Sequence, residues 1–200
     1  MNSSFFHFTR FSFVFFFLIL FFFSLLIAPI YSYYPALFGK ADEDFIFSDD
    51  STSFLWPIPG YTKITSPFGK RTSPTAGASS FHKGTDIGAP EGTPLYAICD
   101  GTITFCDFLG GGGYTITLSC DSMKITYCHV GIPFLVWVGE EVKKGQHIAN
   151  VGPKNVYGVA NNPYKDKNGN PTNGATTGCH LHLGVRIQDQ YVNPMSLFDD

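Results

Sequence analysis

From Trp56 onward the chain is a succession of short apolar runs rich in β-branched and aromatic residues, broken at close intervals by glycine. Residues 95–98, 102–105, 114–118, 124–127 and 181–187 are the clearest such runs, separated by Asp100-Gly101, residues 110–113, Gly145 and Gly152. Runs of this length between glycine-containing turns are the pattern of hairpins and meanders. No window carries a sustained helical period. The pattern therefore predicts an all-β domain, mainly antiparallel, over residues 56–200, large enough to bury one core. Two stretches do not fit strands: residues 72–80 are small and polar, and residues 153–178 are rich in Asn, Gly and Pro. Long irregular loops in compact domains are usually functional, so these two are expected to wall a groove.

The N-terminus follows a different pattern. Residues 13–30 are almost wholly apolar, interrupted by Ser24. A run of about 18 such residues reaches the lower length for a membrane span and exceeds the usual apolar core of a signal peptide. Arg10 precedes it, and Asp42, Glu43, Asp44, Asp49 and Asp50 follow after Lys40, which places the N-terminus in the cytoplasm and the remainder outside. The expected organisation is a short cytoplasmic N-terminus (1–10), a hydrophobic helix (11–31), a linker (32–55) and the β domain. The helix acts either as a transmembrane anchor or as a signal peptide cleaved near Ala28 or Ser32. Either way the domain is exported, as a membrane-tethered or a secreted protein.

Composition removes some functions. Net charge is −3 and charged residues make up 14% of the chain, so there is no basic footprint for nucleic acid. Five cysteines, an odd number, leave at least one unpaired in a single chain. One or two disulfides stay open as an expectation, although small buried hydrophobes are the commoner use of such residues. No Cys-x-x-Cys occurs, which argues against a zinc knuckle or a thioredoxin-like motif.

Two histidine motifs carry the chemistry. On a strand, residues i, i+2 and i+4 share a face. By that rule His82 and Asp86 point the same way, with Gly84 leaving the space between them empty, and His180 and His182 form a second pair. Imidazole nitrogen and carboxylate are donors suited to a divalent metal, zinc above all. Each motif alone is weak evidence, but Tyr127-Cys128-His129 adds a third histidine at the end of a predicted strand. His147 stands apart and reads as an ordinary histidine. A thiol hydrolase built on Cys128 or Cys179 is disfavoured, because neighbours on a strand point to opposite faces.

The combination resembles the lysostaphin/LytM-type zinc metallopeptidases, the M23 family of peptidoglycan endopeptidases. The resemblance rests on His82-Lys83-Gly84-Thr85-Asp86, on His129 and on His180-Leu181-His182. Ser66-Pro67-Phe68-Gly69-Lys70-Arg71, Gly92-Thr93-Pro94, Asp100-Gly101, Val142-Lys143-Lys144-Gly145-Gln146 and Val192-Asn193-Pro194 support it. It covers about two thirds of the chain. It implies a compact two-sheet β domain with an open groove, and one catalytic Zn2+ held by His82, Asp86 and His182. It implies His180 and His129 as catalytic residues, their division into base and oxyanion donor left open, and a peptidoglycan peptide as substrate for a monomer. Three protein ligands leave a fourth tetrahedral position free, as catalytic zinc requires. Inactive domains of this type lack motif residues, whereas all five are present here. Cys179 stands where the family often has proline, and the loop 153–178 is longer than in simpler members.

Overall fold

The computed structural model describes residues 53–198. The hydrophobic segment and nearly all of the linker expected from the sequence lie outside these residues. Among the described residues, no helix is long and apolar enough to cross a membrane. In chain order the strands are β1 (Ile64–Ser66), β2 (Gly69–Lys70), β3 (Phe81–His82), β4 (Thr85–Gly88), β5 (Pro94–Tyr96), β6 (Gly101–Phe108), β7 (Tyr114–Cys120), β8 (Met123–Cys128), β9 (Glu141–Val142), β10 (His147–Asn150), β11 (His180–Ile187) and β12 (Gln190–Val192). Short 3-10 turns at Gly110–Gly112 and Pro194–Leu197 complete the set.

Eight strands form one sheet in the order β1-β4-β11-β8-β7-β6-β9, with β12 pairing the C-terminal half of β11. Every pairing is antiparallel, so the all-β expectation holds. The ribbons β5–β10 and β2–β3 stand apart from it. Alternation assigns the faces. Leu181, Leu183 and Val185 of β11, Ile125 and Tyr127 of β8, Ile116 and Leu118 of β7 and Ile87 of β4 are fully buried in one core, together with Leu95 and Ile148 from the small β5–β10 sheet. The opposite face carries His180, His182, Gly184, Arg186, Asp86, Cys128, Thr117 and Thr126, and it floors an open groove of about 480 Å³. The packing reaches back to Phe54, whose neighbour Leu55 donates its N–H to the Ile98 carbonyl at 2.9 Å.

Two expected strands are altered. Residues 95–98 stay extended only to Tyr96, because the chain then turns to bring Ile98 N–H to the Tyr127 hydroxyl at 3.0 Å, inside the core. The His82–Asp86 motif is not one strand but two, with β3 pairing β2 and β4 pairing β1 and β11. The bend at Lys83-Gly84 admits no side chain at residue 84. A Cβ on Gly84 would stand 2.5 Å from the Leu183 carbonyl oxygen and 2.6 Å from His182 Nε2. The space that glycine leaves is filled by the ring of another site histidine.

Tyr127 is completely buried, and burial pushes its phenol well above the ordinary range, so it remains neutral and accepts from Ile98. Tyr127→Phe orphans a buried N–H and should cost about 1–3 kcal/mol of stability, read from denaturant unfolding.

Candidate active site

The site is assembled by strand register. In the β4–β11 ladder His182 stands opposite Asp86, and in the β8–β11 ladder it stands opposite Cys128. Opposite residues share a face, so Asp86, His182 and Cys128 form a row across the groove floor, one step from His180. His82 arrives from the neighbouring ribbon and is 2% exposed. His82 Nε2 lies 2.9 Å from His182 Nδ1 and 3.1 Å from Asp86 Oδ1, and His182 Nδ1 lies 2.9 Å from the same oxygen. His180 Nε2 is 3.5 Å from Asp86 Oδ1, and its ring is 4.7 Å, centre to centre, from that of His129. All five predicted site residues thus come together, and His147 does not: it is exposed, hydrogen-bonded to Asn150 and set against Tyr96.

Main-chain carbonyls set the tautomers. His82 Nδ1 meets the Pro67 carbonyl at 2.9 Å, His129 Nδ1 the Asn173 carbonyl at 2.7 Å, and His180 Nδ1 the Gly178 carbonyl at 2.9 Å. A carbonyl oxygen only accepts, so each Nδ1 carries the proton, and in the neutral ring each Nε2 presents a bare lone pair inward. His82 Nε2 therefore faces the Asp86 carboxylate lone pair to lone pair, an arrangement that needs a cation or a proton between the two atoms. The near-equilateral set of His82 Nε2, His182 Nδ1 and Asp86 Oδ1 fits a metal ion. Ligands at about 2.0 Å around a tetrahedral zinc stand roughly 3.3 Å apart, close to the separations here.

The electrostatics agree. Burial alone would raise the Asp86 carboxyl, but the imidazoles of His180, His182 and His82, each able to donate to it once protonated on the facing nitrogen, outweigh that and hold it far below the usual carboxylate range. Its second oxygen is 3.3 Å from Arg71 Nη1, which also donates to Ser66 Oγ at 2.6 Å. Burial, reinforced by the neighbouring His180 and His182, pushes His129 down to about 3, so its ring is neutral at physiological pH. His182 is lowered too, chiefly by burial.

One argument from the sequence is corrected. Cys128 does face the groove, and His129 joins it there because its backbone leaves the strand at φ 59°. Alternation therefore does not separate these two residues. What removes Cys128 as a nucleophile is burial, which pushes its thiol up to about 12 and keeps it protonated. Cys179 packs against the core, and all five cysteines are free thiols.

Sequence reasoning missed Asn173. Its carbonyl holds His129, its Oδ1 accepts from Tyr114 N–H at 2.8 Å, and its Nδ2 donates to the Val130 carbonyl at 3.0 Å. Because the contact to His129 is made by main chain, residue type carries no signal of it. Arg71 was legible only as part of the Ser66–Arg71 segment of the resemblance. Both predicted loops do wall the groove: Pro74, Gly77, Ala78 and Ser79 line one side, and Ala175, Thr176 and Thr177 the other.

Two substitutions follow. Asn173→Ala orphans two buried backbone groups and should cost about 2–4 kcal/mol on denaturant unfolding; bound metal measured on the same sample should be unchanged. Gly84→Ala should displace the His182 ring and reduce metal content well below one equivalent, measured by elemental analysis.

Comparison with known proteins agrees with this geometry. Residues 80–194 match the model of peptidase family M23. The DD-carboxypeptidase/endopeptidase Mpg of Neisseria meningitidis is 35% identical over 138 residues, covering 68% of this chain and 27% of that protein. The peptidoglycan DD-endopeptidase ShyB of Vibrio cholerae is 32% identical, covering 68% of this chain and 28% of its own length. The chain thus spans under a third of each of these relatives. The crystal structure of a zinc-containing peptidase from Vibrio cholerae superimposes with a TM-score of 0.56 at 31% identity, over 72% of this chain and 39% of that one. With the matched segment running from just before His82 to just beyond His182, the chain belongs to peptidase family M23.

Proposed function

We propose that this protein is a zinc-dependent endopeptidase that hydrolyses peptide bonds of peptidoglycan, in stem peptide or cross-bridge, outside the cytoplasmic membrane. The observation that carries the reading is the convergence of three lone-pair donors with two further imidazoles on one groove floor. Similarity to a peptidoglycan DD-endopeptidase and to a zinc-containing peptidase supports substrate and metal, and the apolar N-terminal segment supports export.

In this reading His82 Nε2, Asp86 Oδ1 and His182 Nδ1 hold the ion. Zinc supplies Lewis acidity at the scissile carbonyl and to the attacking water. The remaining steps belong to the chain. Arg71 engages the outer oxygen of Asp86 and so keeps the inner one aimed at the site. His129 and His180 present bare Nε2 atoms to the groove, because their Nδ1 protons are held by carbonyls. An Nε2 that takes the proton of the attacking water becomes an N–H donor. It can then stabilise the oxyanion or return the proton to the leaving amine. The groove walls from residues 72–80 and 153–178 align the peptide along β11.

The test is mass spectrometry of fragments released from defined muropeptides, with bound metal measured on the same preparation. His82→Ala, Asp86→Ala and His182→Ala should lose zinc and activity together. His180→Ala should keep zinc and lose turnover by about 10²-fold or more, the usual scale of acid–base catalysis. Cleavage that survives complete chelation would sink the metal mechanism, and intact muropeptides with zinc-loaded protein would sink the substrate assignment.

A further inference from the structure

The groove does not end at the metal ligands. Its floor continues along β11 through Gly184, flanked by Thr117 and Thr126, to Arg186, Tyr191 and Lys83. Arg186 is the fourth residue after His182 on the same face, roughly 13 Å further along an extended strand. Small residues between the two leave the passage open.

The far end is cationic in a chain whose net charge is −3. Tyr191 lies opposite Arg186 in the β11–β12 ladder. The Arg186 guanidinium carbon lies 5.5 Å from the centre of the Tyr191 ring, and Lys83 Nζ lies 4.9 Å from it. Lys124, opposite Arg186 in β8, is engaged at 3.1 Å by Asp189 Oδ1. Neither Arg186 nor Lys83 has a carboxylate partner among the described residues. Arg186 Nε is moreover shut away from water with no hydrogen bond. The guanidinium is held against an aromatic ring on a residue that lines the groove, a setting in which it can recognise a carboxylate.

We propose that Arg186, together with Lys83 on the same Tyr191 ring, is a carboxylate subsite that selects peptide substrates bearing an acidic group several residues from the scissile bond. The inference rests on the endopeptidase reading for its substrate class. Peptidoglycan peptides carry such carboxylates free or converted to carboxamides, so the subsite distinguishes two forms of one substrate.

The test uses the full chain and a matched pair of cross-linked peptides that differ only in carboxylate against carboxamide. Cleavage should favour the carboxylate form by about tenfold or more in kcat/KM, expressed mainly in KM, as expected of a charge-assisted contact. Arg186→Gln should bring the two forms within about twofold of each other, with zinc content and thermal midpoint unchanged. Arg186→Lys should retain part of the preference, and Lys83→Gln should weaken it. Calorimetric binding of both peptides to the His180→Ala protein separates the subsite from the chemistry. Preferential binding of the carboxylate form without cleavage by the wild type would remove the endopeptidase reading and leave the subsite standing. Equal affinity for the two forms, or an Arg186→Gln loss that is the same for both, would overturn the subsite.

Discussion

The placement of β11 between β4 and β8 is the constraint on which the rest of the structure depends. One alternating strand supplies three fully buried aliphatic side chains to the core and two imidazoles to the groove. A slip of one residue would exchange the two sets, putting histidines into the core and leucines against the substrate. The hydrophobic drive that buries Leu181, Leu183 and Val185 is therefore also what aims His180 and His182. Antiparallel pairing then delivers Asp86 to the position opposite His182. Stability and site assembly draw on the same contacts.

Strands place the imidazoles, but loops decide what they can do. Pro67 lies between β1 and β2, and Asn173 and Gly178 lie in the long connection before β11; each contributes a carbonyl that holds one Nδ1 proton. His182 is the exception, turning Nδ1 toward Asp86 while its ring occupies the space above Gly84. Three rings offer Nε2 and one offers Nδ1, a division that follows from where carbonyls and a missing Cβ happen to lie.

Alternation made much of this legible in advance. The period-two pattern of 181–187 was enough to separate core from groove, and the burial along β11 follows it. It misled at two places where the chain leaves the regular strand. Gly84 was read as a spacer within one strand, whereas it marks a bend between two strands, where a ring 98 residues away in sequence takes the place of a side chain. His129 was separated from Cys128 by parity, although a left-handed backbone brings both to the groove. Asn173 left no trace at all, since carbonyl oxygens look alike in every residue. What local pattern cannot encode is contact through the main chain across a long separation.

The buried inner turn of the 153–178 loop has a consequence for how such a protein can vary. Thr172, Asn173 and Thr176 are nearly inaccessible, while much of the stretch from Tyr157 to Asn170 lies at the surface. The loop is thus two materials in one segment, an outer part free to change length and composition and an inner part that belongs to the core. Exchanging the whole loop between relatives to alter substrate preference would remove the support of His129 along with the specificity sought. Grafts confined to the outer part leave that support in place, and new selectivity on this scaffold is most accessible there.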